Sequence, residues 1–205
     1  MVKLSWRKPS AIMLRRFLEE QASEDFNYQP ARATAGELPA GYVVDRTRIL
    51  LGSGELVYES ACQALQRWQQ FQLGWVVAWP ADTPLQCNAS VAVLGWAVGF
   101  WWLNACRIVY VVNESGLMHR FGFAYGTLPC HVGSGEERFL LEWNRETDQV
   151  HYDILAFSRP NHWLIRLGYP LVRRNQKRFG RDSAASMFRA VHPTSALPAI
   201  IQSTG

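Results

Sequence analysis

Between residues 117 and 128 the chain alternates: Leu117, His119, Phe121, Phe123, Tyr125 and Thr127 take one set of positions, and Arg120, Gly122, Ala124 and Gly126 the other. A period of two is that of a strand, so the bulky aromatics share one face and the small residues lie opposite. The aromatic face is expected to look inward. The same period continues through Glu137, Phe139, Leu141 and Trp143 and through Val150, Tyr152, Ile154, Ala156 and Ser158, which predicts strands over 136–143 and 150–158. A half-buried strand is expected at 43–51 and shorter ones at 75–79, 90–94 and 107–112. The segments 113–116 and 144–148 hold Asn, Gly and Asp, which accept positive φ in hairpin turns, so the strands are expected to be sequential antiparallel neighbours.

Helical periods flank this run. An amphipathic helix is expected over 9–21, and a second over 55–71, where Ala61, Leu65, Trp68 and Phe71 recur at helical spacing. Gly52, Ser53 and Gly54 lie between strand and helix, the place of a phosphate-cradling loop, but the longer glycine pattern and its lysine are missing. A tight turn with Ser53 near the helix start is the expected outcome. After Pro160 the period is helical up to Val191, interrupted at Gly168, Tyr169 and Pro170, where proline is expected to kink or restart the helix. The order is strand, helix, six strands, long helix. A meander of that length needs its apolar face covered, and the terminal helix is the element able to cover it. The expected fold is α+β: a curved antiparallel sheet of about seven strands around a long C-terminal helix. A hollow is expected where curved sheet and straight helix do not match. Residues 1–40 read as a helical extension, 41–192 as the main domain and 193–205 as a loose tail.

Composition narrows the class. With 205 residues, 48% of them hydrophobic, and nine tryptophans, the chain can bury one core or one core around a cavity. Residues 83–106 carry no charge and 91–103 are continuously apolar. That run is shorter than the roughly 20 residues of a spanning helix and contains Gly95 and Gly99, so strand, loop and strand are expected. The net charge of +4 bears on solubility and implies no nucleic-acid partner. Cys62, Cys87, Cys106 and Cys130 show no CxxC spacing, and the five histidines no HxxxH or HExxH, so neither metal nor cofactor is expected. The N-terminal segment is charged and unlike a secretory core, and free thiols in a reducing cytoplasm are expected.

The polar turn within 125–139 sets His131, Glu136 and Glu137 beside Tyr125 and Phe139. If the inward faces converge, Glu137, Tyr125 and Tyr152 are polar tips in an apolar space. A buried carboxylate then needs a raised pKa or a partner. Glu137 is a candidate ligand anchor or acid/base group; its alternative roles are to cap the glycine turn or to pair with Arg138 or Arg120. An unperturbed histidine titrates near neutrality, so His131 is a candidate acid/base, or else a turn residue bonded to backbone. On the final helix, Val172, Asn175, Gln176, Phe179, Ser183 and Met187 recur at three- and four-residue steps, so Asn175 and Gln176 face either a polar part of the cavity or a hydrogen bond to the sheet. Arg166, Arg173, Arg174, Lys177, Arg178, Arg181 and Arg189 stand against Asp182 alone on the same segment. They are expected to form a solvent-facing stripe capable of weak contact with an anionic membrane.

Several separated pieces carry a resemblance: Phe26, Asn27 and Tyr28; Gly52 to Gly54; the 104–110 segment; 125–128 with 135–139; 157–160; and Gln176 with Phe179. Together they resemble DUF1990 (UPF0548), a domain-of-unknown-function family of bacteria and plants, over roughly residues 26–191. Cys130 departs from that family's pattern, which has glycine there. The element order is similar to the helix-grip superfamily of lipid-transfer and pollen-allergen-like domains, a resemblance that implies a helix-grip fold with a cavity for an apolar ligand. The expected function is to bind a hydrophobic or amphipathic small molecule through Tyr125, His131, Glu137, Phe139, Tyr152, Asn175, Gln176 and Phe179. The rivals are an enzyme using His131 or Glu137 as acid/base in the same cavity, and an interaction protein docking through its basic last helix.

Overall fold

A computed structural model of the chain describes residues 3–161 and 168–193, together with the backbone of 202–204. The alternating segments form β2 (Val43–Ser53), β3 (Val76–Trp79), β4 (Ser90–Ala97), β5 (Phe100–Glu114), β6 (Met118–Thr127), β7 (Gly133–Asn144) and β8 (Gln149–Pro160). These seven make one antiparallel sheet in the order β3-β4-β5-β6-β7-β8-β2. Two short strands extend it: β1 (Lys3–Ser5) pairs with the start of β5, and β9 (Gln202–Thr204) pairs with β2. The helices are α1 (Ala11–Glu20), α2 (Glu55–Gln66) and α3 (Tyr169–Val191). A curved antiparallel sheet around a long C-terminal helix is therefore the fold, as the alternation implies. Apart from β9, the expected tail beyond 193 lies outside the described residues.

The differences from expectation are local. The uncharged run folds as a hairpin whose turn is Val98 and Gly99, at φ 54° and 79°, pairing Ala97 with Phe100 and Trp96 with Trp101. β5 thus begins well before residue 107. The helix expected over 55–71 stops at Gln66, because Trp68 adopts a left-handed φ of 55° and the chain re-enters as a single 3₁₀ turn over Gln69–Phe71. Trp68 and Phe71 are both carried into the core by that change of direction. Gly168, Tyr169 and Pro170 do not interrupt a helix among the described residues but begin one. Pro170 sits in the first turn of α3, where its missing N–H has no intrahelical partner to lose.

The concave face of the sheet grades from large to small residues, and this grading decides where the core ends. One row across β6, β7, β8 and β2 is Phe121, Leu141, Tyr152 and Ile49; the next is Phe123, Phe139, Ile154 and Thr47. Then come Tyr125, Glu137, Ala156 and Asp45, and finally Gly135, Ser158 and Val43, with Thr127 hydrogen-bonded to Gly135. The large rows are filled from below by α2 and the 3₁₀ turn: Tyr58 packs 5.6 Å from Trp143, Trp68 4.9 Å from Phe123 and Phe71 5.4 Å from Phe139. Burying each such ring stabilises the fold by about 1.5–3 kcal/mol. α3 crosses the face and comes closest at Gly180, where a Cβ would stand 2.5 Å from Thr47 Oγ1. Beyond that point, over the small rows, sheet and helix diverge.

The convex face is covered by the N-terminal residues. Leu14 and Phe17 of α1 pack on Ala92, Leu94, Leu103 and Ala105, and Tyr28 and Ala33 on Phe157. Gly126 admits Tyr28 against the sheet: a Cβ there would lie 2.2 Å from the Tyr28 hydroxyl.

Candidate functional site

The small rows leave a cavity of about 540 Å³ between the sheet and α3, within the roughly 300–1,000 Å³ of small-molecule sites. Ala156 and Ser158 on β8 and Gly135 on β7 make the space, and Phe71, Trp75, Trp96, Trp102 and Phe179 give it aromatic walls. Its rim includes Val98 and Leu171, which are 67% and 44% exposed, so the cavity opens beside the β4–β5 hairpin and the first turns of α3.

Period two separates two adjacent glutamates. Glu136 points to the convex side, where it accepts hydrogen bonds from the Tyr28 hydroxyl at 2.6 Å, the Arg32 N–H at 2.8 Å, the Thr34 N–H at 3.0 Å and the Thr34 hydroxyl. It ties the segment before β2 onto the sheet. Glu137 points into the cavity, where the Tyr125 hydroxyl donates to its Oε2 at 2.6 Å. Burial pushes the Glu137 carboxyl up from 4.5 to about 7; the Tyr125 bond opposes the rise and Asp45 adds to it. Neither Arg138 nor Arg120 pairs with it. Arg138 binds Asp153 at 2.9 Å, and Arg120 binds Glu114 and Glu142 at 3.0 and 3.2 Å.

His131 follows β6 in the turn that leads to β7. Its Nδ1 lies 2.9 Å from the Gly133 backbone nitrogen and 3.1 Å from the Gly133 carbonyl oxygen, so the backbone of Gly133 can meet either tautomer of the ring. Burial lowers its pKa from 6.5 to about 4, partly offset by the Gly133 carbonyl, which favours a protonated Nδ1. It lines the same cavity as Glu137, and no hydrogen bond joins the two among the described residues. On α3, Asn175 lines the cavity, and Gln176 lines it while donating to Ser158 Oγ at 2.9 Å. Phe179 stacks 5.2 Å from Phe71 and closes the inner end.

Of the residues expected at the site, Tyr125, His131, Glu137, Asn175, Gln176 and Phe179 come together around the cavity. Phe139 and Tyr152 do not reach it. Both are fully buried on the large rows, Phe139 between Phe71 and Phe123 and Tyr152 with its hydroxyl 3.2 Å from Ser183 Oγ. Arg173 corrects the expectation of a solvent-facing stripe. It turns inward to a two-pronged pair with Asp45, one contact of which is 2.6 Å, and donates to Gln176 Oε1 at 2.8 Å. Arg178 lies 4.2 Å over the Trp75 ring and pairs with Asp182 at 3.2 Å. Arg174, Lys177, Arg181 and Arg189 remain exposed, and Arg166 lies outside the described residues. Asp45, Arg173, Trp75, Trp96 and Trp102 were not anticipated at the site. Asp45 was legible, because it shares the inward period of Thr47 and Ile49 on β2; the tryptophans were not, because a wall and a core read alike in sequence.

Among the described residues no three His, Cys, Asp or Glu side chains cluster as metal ligands, and no helix is long and apolar enough to cross a membrane. The four thiols are free.

Comparison with known proteins agrees over nearly the whole length. The family model described as "Domain of unknown function (DUF1990)" matches residues 27–186. A UPF0548 protein of Dictyostelium discoideum is 37% identical over 205 residues, covering 91% of this chain and 94% of that protein. A UPF0548 protein of Arabidopsis thaliana is 33% identical, covering 94% and 99%, and one of Deinococcus radiodurans is 33% identical, covering 90% and 96%. Among solved structures, human STARD10 matches with a TM-score of 0.48 at 8% identity, over 92% of this chain and 82% of that one. Ara h 8.0201 matches with a TM-score of 0.45 at 4% identity, over 72% and 98%. Likenesses this distant carry nothing of those proteins' function across.

Proposed function

The chain belongs to the DUF1990 family, and from that premise we propose that it binds an amphipathic small molecule between sheet and C-terminal helix. The apolar body lies against Phe71, Trp75, Trp96, Trp102 and Phe179, and the polar end meets Tyr125 and Glu137. The observation that carries this reading is the cavity of about 540 Å³ opened by Ala156, Ser158 and Gly135 beside aromatic walls and a few convergent polar groups. A packed core would place large side chains at those row positions, as the neighbouring rows do.

The test is to fill the space. Ala156→Phe keeps an apolar residue on the inward face of β8 and occupies the cavity. Displacement of the neutral dye N-phenyl-1-naphthylamine and native mass spectrometry of the protein from its own cells are the readouts. The expected result is dye binding and a retained small molecule in the parent and neither in the variant, at near-parent thermal stability. Equal dye binding by both would overturn the reading.

A second reading is favoured by one observation, the Glu137 carboxyl that burial brings to about 7, in the range of a general acid or base. In it the same cavity hosts a proton transfer by Glu137, with Tyr125 as its hydrogen-bonding partner. His131 is tied to the backbone of Gly133 and does not pair with Glu137. Chemical change of a retained molecule on incubation, lost in Glu137→Gln, would favour catalysis over binding alone.

A further inference from the structure

The charges around the cavity do not balance. Asp45 is matched by Arg173, and Glu136, though beside the cavity in sequence, directs its carboxylate to the convex face. Glu137 has no cationic partner among the described residues: only the Tyr125 hydroxyl bonds it, through Oε2. Its Oε1 is bonded by nothing described, yet is not a sealed-off atom, because Glu137 lines the cavity. Lys177 and Arg159 lie at the rim and are exposed, and Arg159 is stacked 4.5 Å over Tyr42. An ionised carboxylate facing a space with little water is costly unless something neutralises it. Two things can: a proton, or a cation brought by the ligand.

The walls favour the second. Phe71, Trp75, Trp96, Trp102 and Tyr125 line the space with aromatic rings, and a desolvated ammonium gains from aromatic rings as well as from a carboxylate. Trp75 already carries the Arg178 guanidinium at 4.2 Å. Resting on the cavity reading above, we infer that the ligand is a cationic amphiphile, an apolar body bearing a protonated amine whose N–H groups bind Glu137 Oε1. The Tyr125 hydroxyl holds the carboxylate in place, and the small Ala156 next to it in the row leaves room for the nitrogen. An anionic amphiphile would bring a second negative charge to the same oxygen. A neutral one would leave Glu137 to be neutralised by a proton.

Binding of an amine then expels the proton from Glu137. Amine affinity is expected to rise with pH as Glu137 ionises, at up to about tenfold per pH unit. The groups that share the cavity with it are Tyr125 from β6, His131 from the turn before β7, Asp45 of β2 with its Arg173, Arg159 of β8, and Tyr169 and Lys177 of α3, with Glu136 of β7 turned to the convex face. His131 is neutral through this range and the Asp45–Arg173 pair is internally balanced, so the slope belongs to Glu137.

The test uses three probes with one body: dodecylamine, dodecanol and dodecanoic acid, each displacing N-phenyl-1-naphthylamine from the full chain below micellar concentration. At pH 7.5 the amine is expected to bind at least about tenfold more tightly than the alcohol or the acid. Its advantage should shrink toward pH 5.5. In Glu137→Gln the ratio of amine to alcohol affinity should fall to about one at both pH values, and its pH slope should vanish. Binding of the acid or alcohol as tightly as the amine would overturn the inference and leave the cavity reading standing. An amine preference kept in Glu137→Gln would likewise overturn it. Failure of all three probes to bind would overturn the cavity reading and this inference together. The comparison of probes on the unaltered protein decides the matter even if the variant does not fold.

Discussion

Replacing Glu137 by glutamine should stabilise the protein, and by an amount that depends on pH. In the folded chain Glu137 keeps its proton up to about pH 7, whereas its ordinary value is 4.5. Across that window the folded state binds a proton that the unfolded state has lost, so the contribution of Glu137 is fully present below 4.5 and is lost as pH rises through about 7. At about 1.4 kcal/mol per pH unit the gap amounts to roughly 3 kcal/mol, which the cavity-facing side of the carboxyl reduces to about 2–3 kcal/mol. Glutamine never ionises and its amide oxygen can still accept the Tyr125 hydroxyl. Urea unfolding of parent and variant from pH 4.5 to 8 measures the difference. The two should be nearly equal at pH 4.5, and the variant should lead by about 2–3 kcal/mol at pH 8. Taking the difference cancels His131, which titrates over the same range with the opposite sign. A difference that stays flat, or a variant less stable at pH 8, would refute the argument that burial without a cationic partner governs this carboxyl.

The neighbouring carboxylate should behave in the reverse way: Glu136→Ala leaves the Tyr28 hydroxyl, two backbone N–H groups and the Thr34 hydroxyl without their acceptor, and urea unfolding should show a loss of at least about 3 kcal/mol. For Asp45→Ala, removing the partner of the half-buried Arg173 should cost about 1–3 kcal/mol in the same assay, whereas Arg174→Ala on the exposed side of α3 should change stability by less than about 0.5 kcal/mol. His131, held neutral by burial, contributes stability that is present above its ordinary 6.5 and lost as pH falls through about 4; His131→Asn should flatten the acid side of the stability profile by up to about 3 kcal/mol, and an unchanged acid limb would count against it.

The sequence by itself determined the strand faces. Period two placed Phe121, Phe123 and Tyr125 on one side and Gly122, Ala124 and Gly126 on the other, and it separated Glu136 from Glu137, because alternation is a property of the extended backbone and needs no partner. It also implied the terminal helix as the cover, but in the structure α2 and the 3₁₀ turn share that task, packing Tyr58, Trp68 and Phe71 on the large aromatic rows. Tyr125 and Glu137 of the cavity wall lie on the same inward face and were named from it. Only the tertiary structure decided which inward residues are core and which are wall. Phe139 and Tyr152 share their faces with Glu137 and Ala156, but α2 and the 3₁₀ turn fill the space beneath the former and leave it open beneath the latter. No local pattern reports where another element ends. Arg173 shows the same limit in charge: as one of a run of cations it reads as a solvated face, and it turns inward because Asp45, 128 residues away in the chain, stands within hydrogen-bond reach on β2. Pairings of that separation are set by the register of β2 against β8 and by the approach of α3 at Gly180, which are global features of the packing rather than of any segment.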